Sequence, residues 1–81
     1  MKRNSLGQLI RTRRKELGLT IEELARKVGI DRTYLTKIEK HDWLPSPEVL
    51  THIIISLKDK PKKYVDLYES YKFGGVMRQW R

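Results

Sequence analysis

Residues 17–39 read LGLTIEELARKVGIDRTYLTKIE, and this stretch contains the signals for two short helices and the turn between them. Thr20 followed by Glu23 is a capping box, in which each side chain bonds the other residue's backbone amide and so starts a helix. Gly29 accepts the positive φ of a tight turn at little cost. Asp31 is a favourable N-cap for the next helix. Two short helices joined by so tight a turn cross at a steep angle, and this arrangement is the helix-turn-helix unit.

Similar signals predict a helix on either side of this pair. Ser5 followed by Gln8 is a second capping box, and Gly18 is suited to the left-handed conformation that ends a helix. Beyond the pair, Ser46 is a suitable N-cap and Pro47 a suitable first helical residue. These four helices have apolar residues at helical spacing, so each has one face to bury.

A fifth helix is predicted to begin at Pro61, and Gly74-Gly75 is expected to end regular structure. We therefore divide the chain into a helix-turn-helix domain at residues 1–72 and a C-terminal tail at residues 73–81. No segment has a convincing strand pattern. The sequence predicts an all-α fold, a compact arrangement of five short helices around one core.

Composition limits the function classes. Lys and Arg number 18 against 10 Asp and Glu, which gives a net charge of +8 on only 81 residues. Such an excess favours a polyanionic partner, above all nucleic acid. Cysteine is absent, and the basic start (Lys2, Arg3) is not followed by an apolar stretch, so we expect a cytoplasmic protein without a secretory signal. The spacing of His41 and His52 indicates no metal site, and we expect no cofactor.

The combined spacing of several short motifs resembles the phage repressor/Cro family, also called the Xre-like regulators. The motifs are the Leu-Gly-Leu-Thr entry, Glu-Glu-Leu-Ala in the second helix, Val-Gly-Ile at the turn and Lys-Ile-Glu at the end of the third helix. The likeness covers about residues 5–70. It implies a sequence-specific regulator of transcription, most often a repressor, that binds double-stranded DNA and is associated with the nucleoid. No constellation of residues suggests an enzyme.

The third helix, at about residues 31–40, is expected to enter the major groove with its N-terminal half on the bases. Residues that contact bases must lie on the face opposite Leu35 and Ile38. Four residues meet this condition, and for three of them, Arg32, Thr33 and Lys37, the resemblance also implies base contacts. The predicted base-contacting residues are Arg32, Thr33, Thr36 and Lys37.

Phosphate contacts are expected from basic and hydroxyl side chains around this helix. Tyr34 lies off the base-contacting face, so its hydroxyl is better placed for the DNA backbone. The predicted phosphate-contacting residues are Arg11, Arg13, Thr20, Tyr34 and Lys40.

The resemblance also implies a structural ion pair between Arg14 and Glu39, which would tie the first helix to the third. Two positions depart from the family pattern. Ile21 stands where glutamine commonly contacts a phosphate, although the helix N-terminal amides can still bind one. His41 stands where glycine is common, and it is followed by Asp42 and Trp43.

Two questions stay open at this level. Helix five and the tail form a candidate homodimer surface or cap the core of the monomer; the residues concerned are Tyr68, Tyr71, Phe73, Met77 and Trp80. An alternative function is an antitoxin-like or anti-repressor module that binds another protein, with DNA binding secondary. A third is charge-driven, nonspecific binding to RNA or a membrane surface.

Overall fold

The computed structural model describes the backbone of residues 5–79 and the side chains of residues 5–70. Five α-helices follow one another, and the predicted all-α fold is confirmed. No helix in the described part of the chain has both the length and the apolar character that a bilayer crossing requires. The helices are α1 (Leu6–Glu16), α2 (Ile21–Val28), α3 (Arg32–His41), α4 (Pro47–Leu57) and α5 (Pro61–Gln79).

The predicted helix starts and turns are those of the structure. The N-caps of the first four helices each accept a hydrogen bond from an amide in the first turn; they are Ser5, Thr20, Asp31 and Ser46. At Thr20 the capping box is complete, since the backbone N–H of Thr20 also donates to Glu23 Oε1 over 2.8 Å. At Ser5 the described contact is the hydroxyl half of the box, from the Gln8 amide. Gly18 and Gly29 both have positive φ.

The core lies between α1 and the other helices. Helix α1 packs against α3, α4 and α5, while α2 packs against α3 and α4. Burying these apolar faces stabilises helices that are too short to persist alone. The buried apolar residues are Leu6, Ile10, Leu24, Ala25, Val28, Leu35, Ile38, Leu50, Ile53, Ile54, Leu57, Tyr64 and Tyr68.

Gly7 allows α1 to approach the end of α3 very closely. A Cβ atom at Gly7 would collide with the carbonyl oxygen of Ile38 and would lie 2.7 Å from that of Glu39. Both neighbours are backbone atoms, so neither can move aside as a flexible side chain would. The glycine is therefore required by packing, and the local sequence pattern does not reveal this.

Helix α5 is longer than the sequence predicts. It runs from Pro61 to Gln79 and continues through Gly74-Gly75, where we expected regular structure to end. Glycine is a poor helix former because of its backbone entropy, but helical φ and ψ remain open to it, so a glycine pair weakens a helix without forbidding it. The division between residues 1–72 and 73–81 stays a prediction, and the helix passes through that point.

Arg13 and Asp59 join the end of α4 and the start of α5 to α1. The Arg13 guanidinium donates to the carbonyl oxygens of Leu57 and Lys58, both over 3.0 Å, and so satisfies the C-terminus of α4. Asp59 accepts hydrogen bonds from the Tyr64 hydroxyl over 2.7 Å and the Lys60 amide over 2.8 Å. This junction fixes the direction in which α5 leaves α4.

The Asp59 carboxylate makes part of the stability sensitive to acid. The hydrogen bond from Tyr64 is the main cause that lowers the pKa of Asp59 from 3.8 to about 2, and the ammonium of Lys63 adds to it. Because folding lowers this pKa, the stabilisation is complete above pH 4 or so and is lost as the pH falls towards about 2.

We expect Asp59→Asn to remove this acid-sensitive part. The free energy of unfolding, measured by chemical denaturation from about pH 7 to about pH 2, should be lower for the variant at neutral pH. The difference from wild type should shrink as Asp59 of the wild type becomes protonated. A difference that stays constant over the whole range would contradict this role.

Candidate nucleic-acid interface

A buried ion pair fixes the position of α3 on α1. The Arg14 guanidinium donates to both carboxylate oxygens of Glu39, with Nε to Oε2 at 2.9 Å and an Nη to Oε1 at 3.1 Å. The Arg14 and Glu39 side chains are only 11% and 2% exposed. The remaining Nη of Arg14 donates to the carbonyl oxygen of Leu19 over 2.8 Å. One guanidinium therefore holds together α1, the loop before α2 and α3.

Helix α3 divides into a buried face and an open face. Leu35, Ile38 and Glu39 are buried against the other helices. The more exposed side chains, which form the open face, include the predicted base-contacting residues: Arg32 and Thr33 are exposed, and Thr36 and Lys37 are partly exposed. All four side chains are thus accessible to solvent.

Arg32 lies beside the carboxylate of Glu22. Its guanidinium is 3.4 Å from Glu22 Oε2 on α2, and both side chains are more than 60% exposed. An ion pair in water of this kind is weak, so Arg32 can exchange it for another partner. The Thr36 hydroxyl donates to the carbonyl oxygen of Arg32 over 3.0 Å, which leaves its oxygen lone pairs as acceptors.

Lys37 contacts an aromatic ring rather than a carboxylate. Its ammonium nitrogen lies 4.4 Å from the centroid of the Trp43 ring, a cation–π contact. Trp43 follows α3 in the chain and is half exposed. Sequence reasoning named Trp43 only as a departure from the family pattern. An aromatic residue just after a predicted DNA-contacting helix was the available signal.

The predicted phosphate-contacting residues differ in how available they are. Arg11 and Lys40 are exposed, and the described contacts include no hydrogen bond or ion pair for either. The Thr20 hydroxyl accepts from the Glu23 amide over 3.1 Å, so its own hydrogen can still be donated. Tyr34 is partly buried and packs against the core.

Arg13 has a structural role in this fold. Its guanidinium bonds the C-terminal carbonyls of α4, lies 3.3 Å from Glu16 and approaches Asp59 to 3.8 Å. These contacts occupy Nε and both terminal nitrogens. The partners at α4 are more than forty residues away in the chain, so the sequence alone could not separate Arg13 from Arg11.

The N-terminus of α2 differs in charge from a simple anion site. Ile21 is partly buried and packs on the core, which explains an apolar residue at this position. Glu22 and Glu23 place two carboxyl groups in the first turn. The backbone and side-chain hydrogen bonds of Thr20 lower the pKa of Glu23. A phosphate here would meet the Thr20 hydroxyl beside negative charge.

The candidate dimer surface is only partly described. Tyr68 is buried, and its hydroxyl donates to the carbonyl oxygen of Pro45 over 2.8 Å. It therefore caps the core of the monomer. The side chains of Tyr71, Phe73, Met77 and Trp80 lie outside the described residues, and the protein-binding alternative depends on this same region.

The described residues hold no candidate metal site. Among them, no three His, Cys, Asp or Glu side chains are grouped so that they could hold a metal ion.

Residues 10–54 match the model of a helix-turn-helix family, a segment of more than half the chain that includes α2, the turn and α3. The chain is 46% identical over 50 residues to the ImmF control region 10 kDa protein of Bacillus phage phi105. The aligned segment covers 62% of this chain and 56% of the phage protein. The match therefore extends to a protein of a phage control region.

Two cellular relatives show the same likeness. An uncharacterized HTH-type transcriptional regulator of Methanothermobacter thermautotrophicus is 52% identical over 46 residues, covering 57% of this chain and 65% of the relative. The HTH-type transcriptional regulator SlrR of Bacillus subtilis is 32% identical over 81 residues, covering 94% of this chain and 52% of the relative. The chain thus spans about half to two thirds of the length of these relatives.

We expect Glu39→Ala to be strongly destabilising, because it leaves the buried Arg14 charge without its partner. The free energy of unfolding should fall by about 3–5 kcal/mol, a large part of the stability of a small domain. Chemical denaturation measures this change.

Glu16→Ala is the matched control. Glu16 also pairs with an arginine, but its side chain is 59% exposed, so the loss should stay below about 1 kcal/mol. Equal losses for the two variants would show that burial of the Arg14–Glu39 pair has no special effect on stability.

Proposed function

Because the chain belongs to the Xre-like helix-turn-helix family, we propose that it binds double-stranded DNA in a sequence-specific way and regulates transcription. The observation that carries the proposal is the open face of α3, where polar and basic side chains stand on a helix whose other face is buried. A helix fixed in this way can enter a major groove without rearranging the core.

Direct base contacts are assigned to Arg32, Thr33, Thr36 and Lys37. The forked guanidinium of Arg32 matches the O6 and N7 acceptors of guanine, and the Thr33 methyl suits a thymine methyl. Arg32 has to leave Glu22 to make this contact, which costs little because both side chains are in water.

Phosphate contacts are assigned to Arg11, Thr20, Tyr34 and Lys40. Arg11 and Lys40 are exposed basic side chains, and such residues contribute affinity that depends on salt but little on sequence. We withdraw Arg13 from this set, because its nitrogens already bond the end of α4.

Repression is the direction of regulation that we propose. The name of the phage relative places that protein in a control region. A small domain bound over a promoter blocks access to the same DNA by its volume alone. The proposal includes a binding rather than a catalytic function, a place at the nucleoid in the cytoplasm, and a homodimer formed through α5 and the tail.

The test of the proposed function is in vitro selection of bound DNA from a random pool, in the presence of excess random competitor. Sequence-specific binding enriches one motif, whereas attraction by charge alone enriches none. A homodimer should enrich a palindrome with half-sites about one helical turn, or roughly 34 Å, apart. Failure to enrich any motif would overturn the proposed function.

Arg32→Ala should weaken binding to the best selected site by about 1–3 kcal/mol and relax the preference at one base position in each half-site. Comparison of the selection profiles of variant and wild type measures both effects. Lys62→Ala is the control, since it removes the same charge from an exposed position on α5. An unchanged motif with uniformly weaker binding would make Arg32 a phosphate contact instead.

Arg11 and Arg13 are predicted to respond differently to the same substitution. Arg11→Ala should reduce the log–log dependence of affinity on salt by about 0.9, the value for one phosphate contact. Arg13→Ala should leave that slope unchanged and lower the free energy of unfolding by about 1–3 kcal/mol, because charged hydrogen bonds to α4 are lost. Salt titrations and denaturation curves of both variants check this, and a lower slope for Arg13→Ala would return Arg13 to the phosphate contacts.

A further inference from the structure

We propose that Trp43 is a positioning residue for base recognition, which holds the Lys37 side chain in the orientation that it uses on DNA. The inference rests on the proposed function, since Lys37 acts on a base only if α3 enters the groove. Trp43 lies in the loop that connects α3 to α4, outside the helix that is proposed to enter the groove.

Both ends of Lys37 are held by residues of this loop. The Lys37 ammonium lies 4.4 Å from the centroid of the Trp43 ring. The carbonyl oxygen of Lys37 accepts the backbone N–H of Trp43 over 3.3 Å, and the N–H of Asp42 donates to the same oxygen. The backbone contacts place the ring, and the ring then restricts the flexible side chain.

The loop that carries Trp43 is itself fixed. Asp42 has a φ of 54°, the left-handed conformation that ends α3. Two residues beyond Trp43, Pro45 is buried and its carbonyl oxygen accepts the buried hydroxyl of Tyr68 on α5. Trp43 is therefore anchored to α3 on one side and to the core on the other.

This arrangement matters because a lysine side chain is flexible. Lysine has more rotamer entropy to lose than most residues, and a contact that restricts it before binding lowers the cost of ordering it on DNA. Trp43 is 50% exposed, so burial in the core does not explain its place in the structure. Lys40, one turn further along α3, is exposed and has no described ring contact.

The experiment compares four proteins on the selected site: wild type, Lys37→Ala, Trp43→Leu and the double variant. Trp43→Leu keeps an apolar side chain but removes the ring face, and it should weaken binding by about 2- to 5-fold. It should relax the same base position as Lys37→Ala. In the Lys37→Ala background, Trp43→Leu should cause no further loss, because the residue through which it acts is gone. Trp43→Phe keeps a ring and should recover part of the selectivity.

Leu44→Ala is the matched control. Leu44 is the next residue in the loop and is 41% exposed, so its removal should leave the base preference unchanged. Independent losses from Lys37→Ala and Trp43→Leu in the double variant would overturn the inference. Tighter binding by Trp43→Leu would also overturn it, since the ring would then compete with DNA for Lys37.

A measurement without DNA separates this inference from the proposed function. The chain has two tryptophans, so Trp80→Phe leaves Trp43 as the single indole fluorophore. In that background Lys37→Ala should change the Trp43 emission, and unchanged emission would overturn the contact itself. If wild type enriches no motif, both proposals fail; if it enriches a motif that Trp43→Leu leaves intact, only the positioning role fails.

Discussion

The buried pair of Arg14 and Glu39 is the interaction on which the geometry of the surface depends. Its cost of desolvation is offset only because every group is paired: two hydrogen bonds join the side chains, and a third reaches the carbonyl of Leu19. The directions of these bonds fix α3 relative to α1 more narrowly than apolar contact alone. Together with the close approach at Gly7, they set the distance and the orientation of α3 relative to α1.

Two adjacent arginines on α1 bind different parts of the fold. Arg14 points to α3, whereas Arg13 bonds the end of α4 beside the Asp59 and Tyr64 junction. These two basic side chains are therefore engaged in contacts within the protein and are not available to DNA. The charges that remain for a polyanion are exposed ones such as Arg11 and Lys40.

The open face of α3 has two kinds of side chain. Arg32 forms an exposed ion pair with Glu22, which water weakens, so its orientation is easily changed. Lys37 is restrained by the loop that follows α3, and that loop is bonded to α5 through Pro45 and Tyr68. The surface thus combines an exposed ion pair near the start of the helix with a cation–π contact further along it.

Local sequence patterns predicted the five helices, the N-caps of the first four and the turn between α2 and α3, because these features depend on residues three or four apart, such as Thr20 and Glu23. They also indicated which face of α3 is apolar. The prediction that regular structure ends at Gly74-Gly75 was wrong, because glycine disfavours a helix without excluding it. Only the tertiary structure distinguished Arg13 from Arg11, required Gly7 and placed Trp43 over Lys37. The Arg13 and Gly7 contacts join residues far apart in the chain. The Trp43 contact depends on how the loop after α3 is anchored. A local pattern of residue types therefore cannot reveal these contacts.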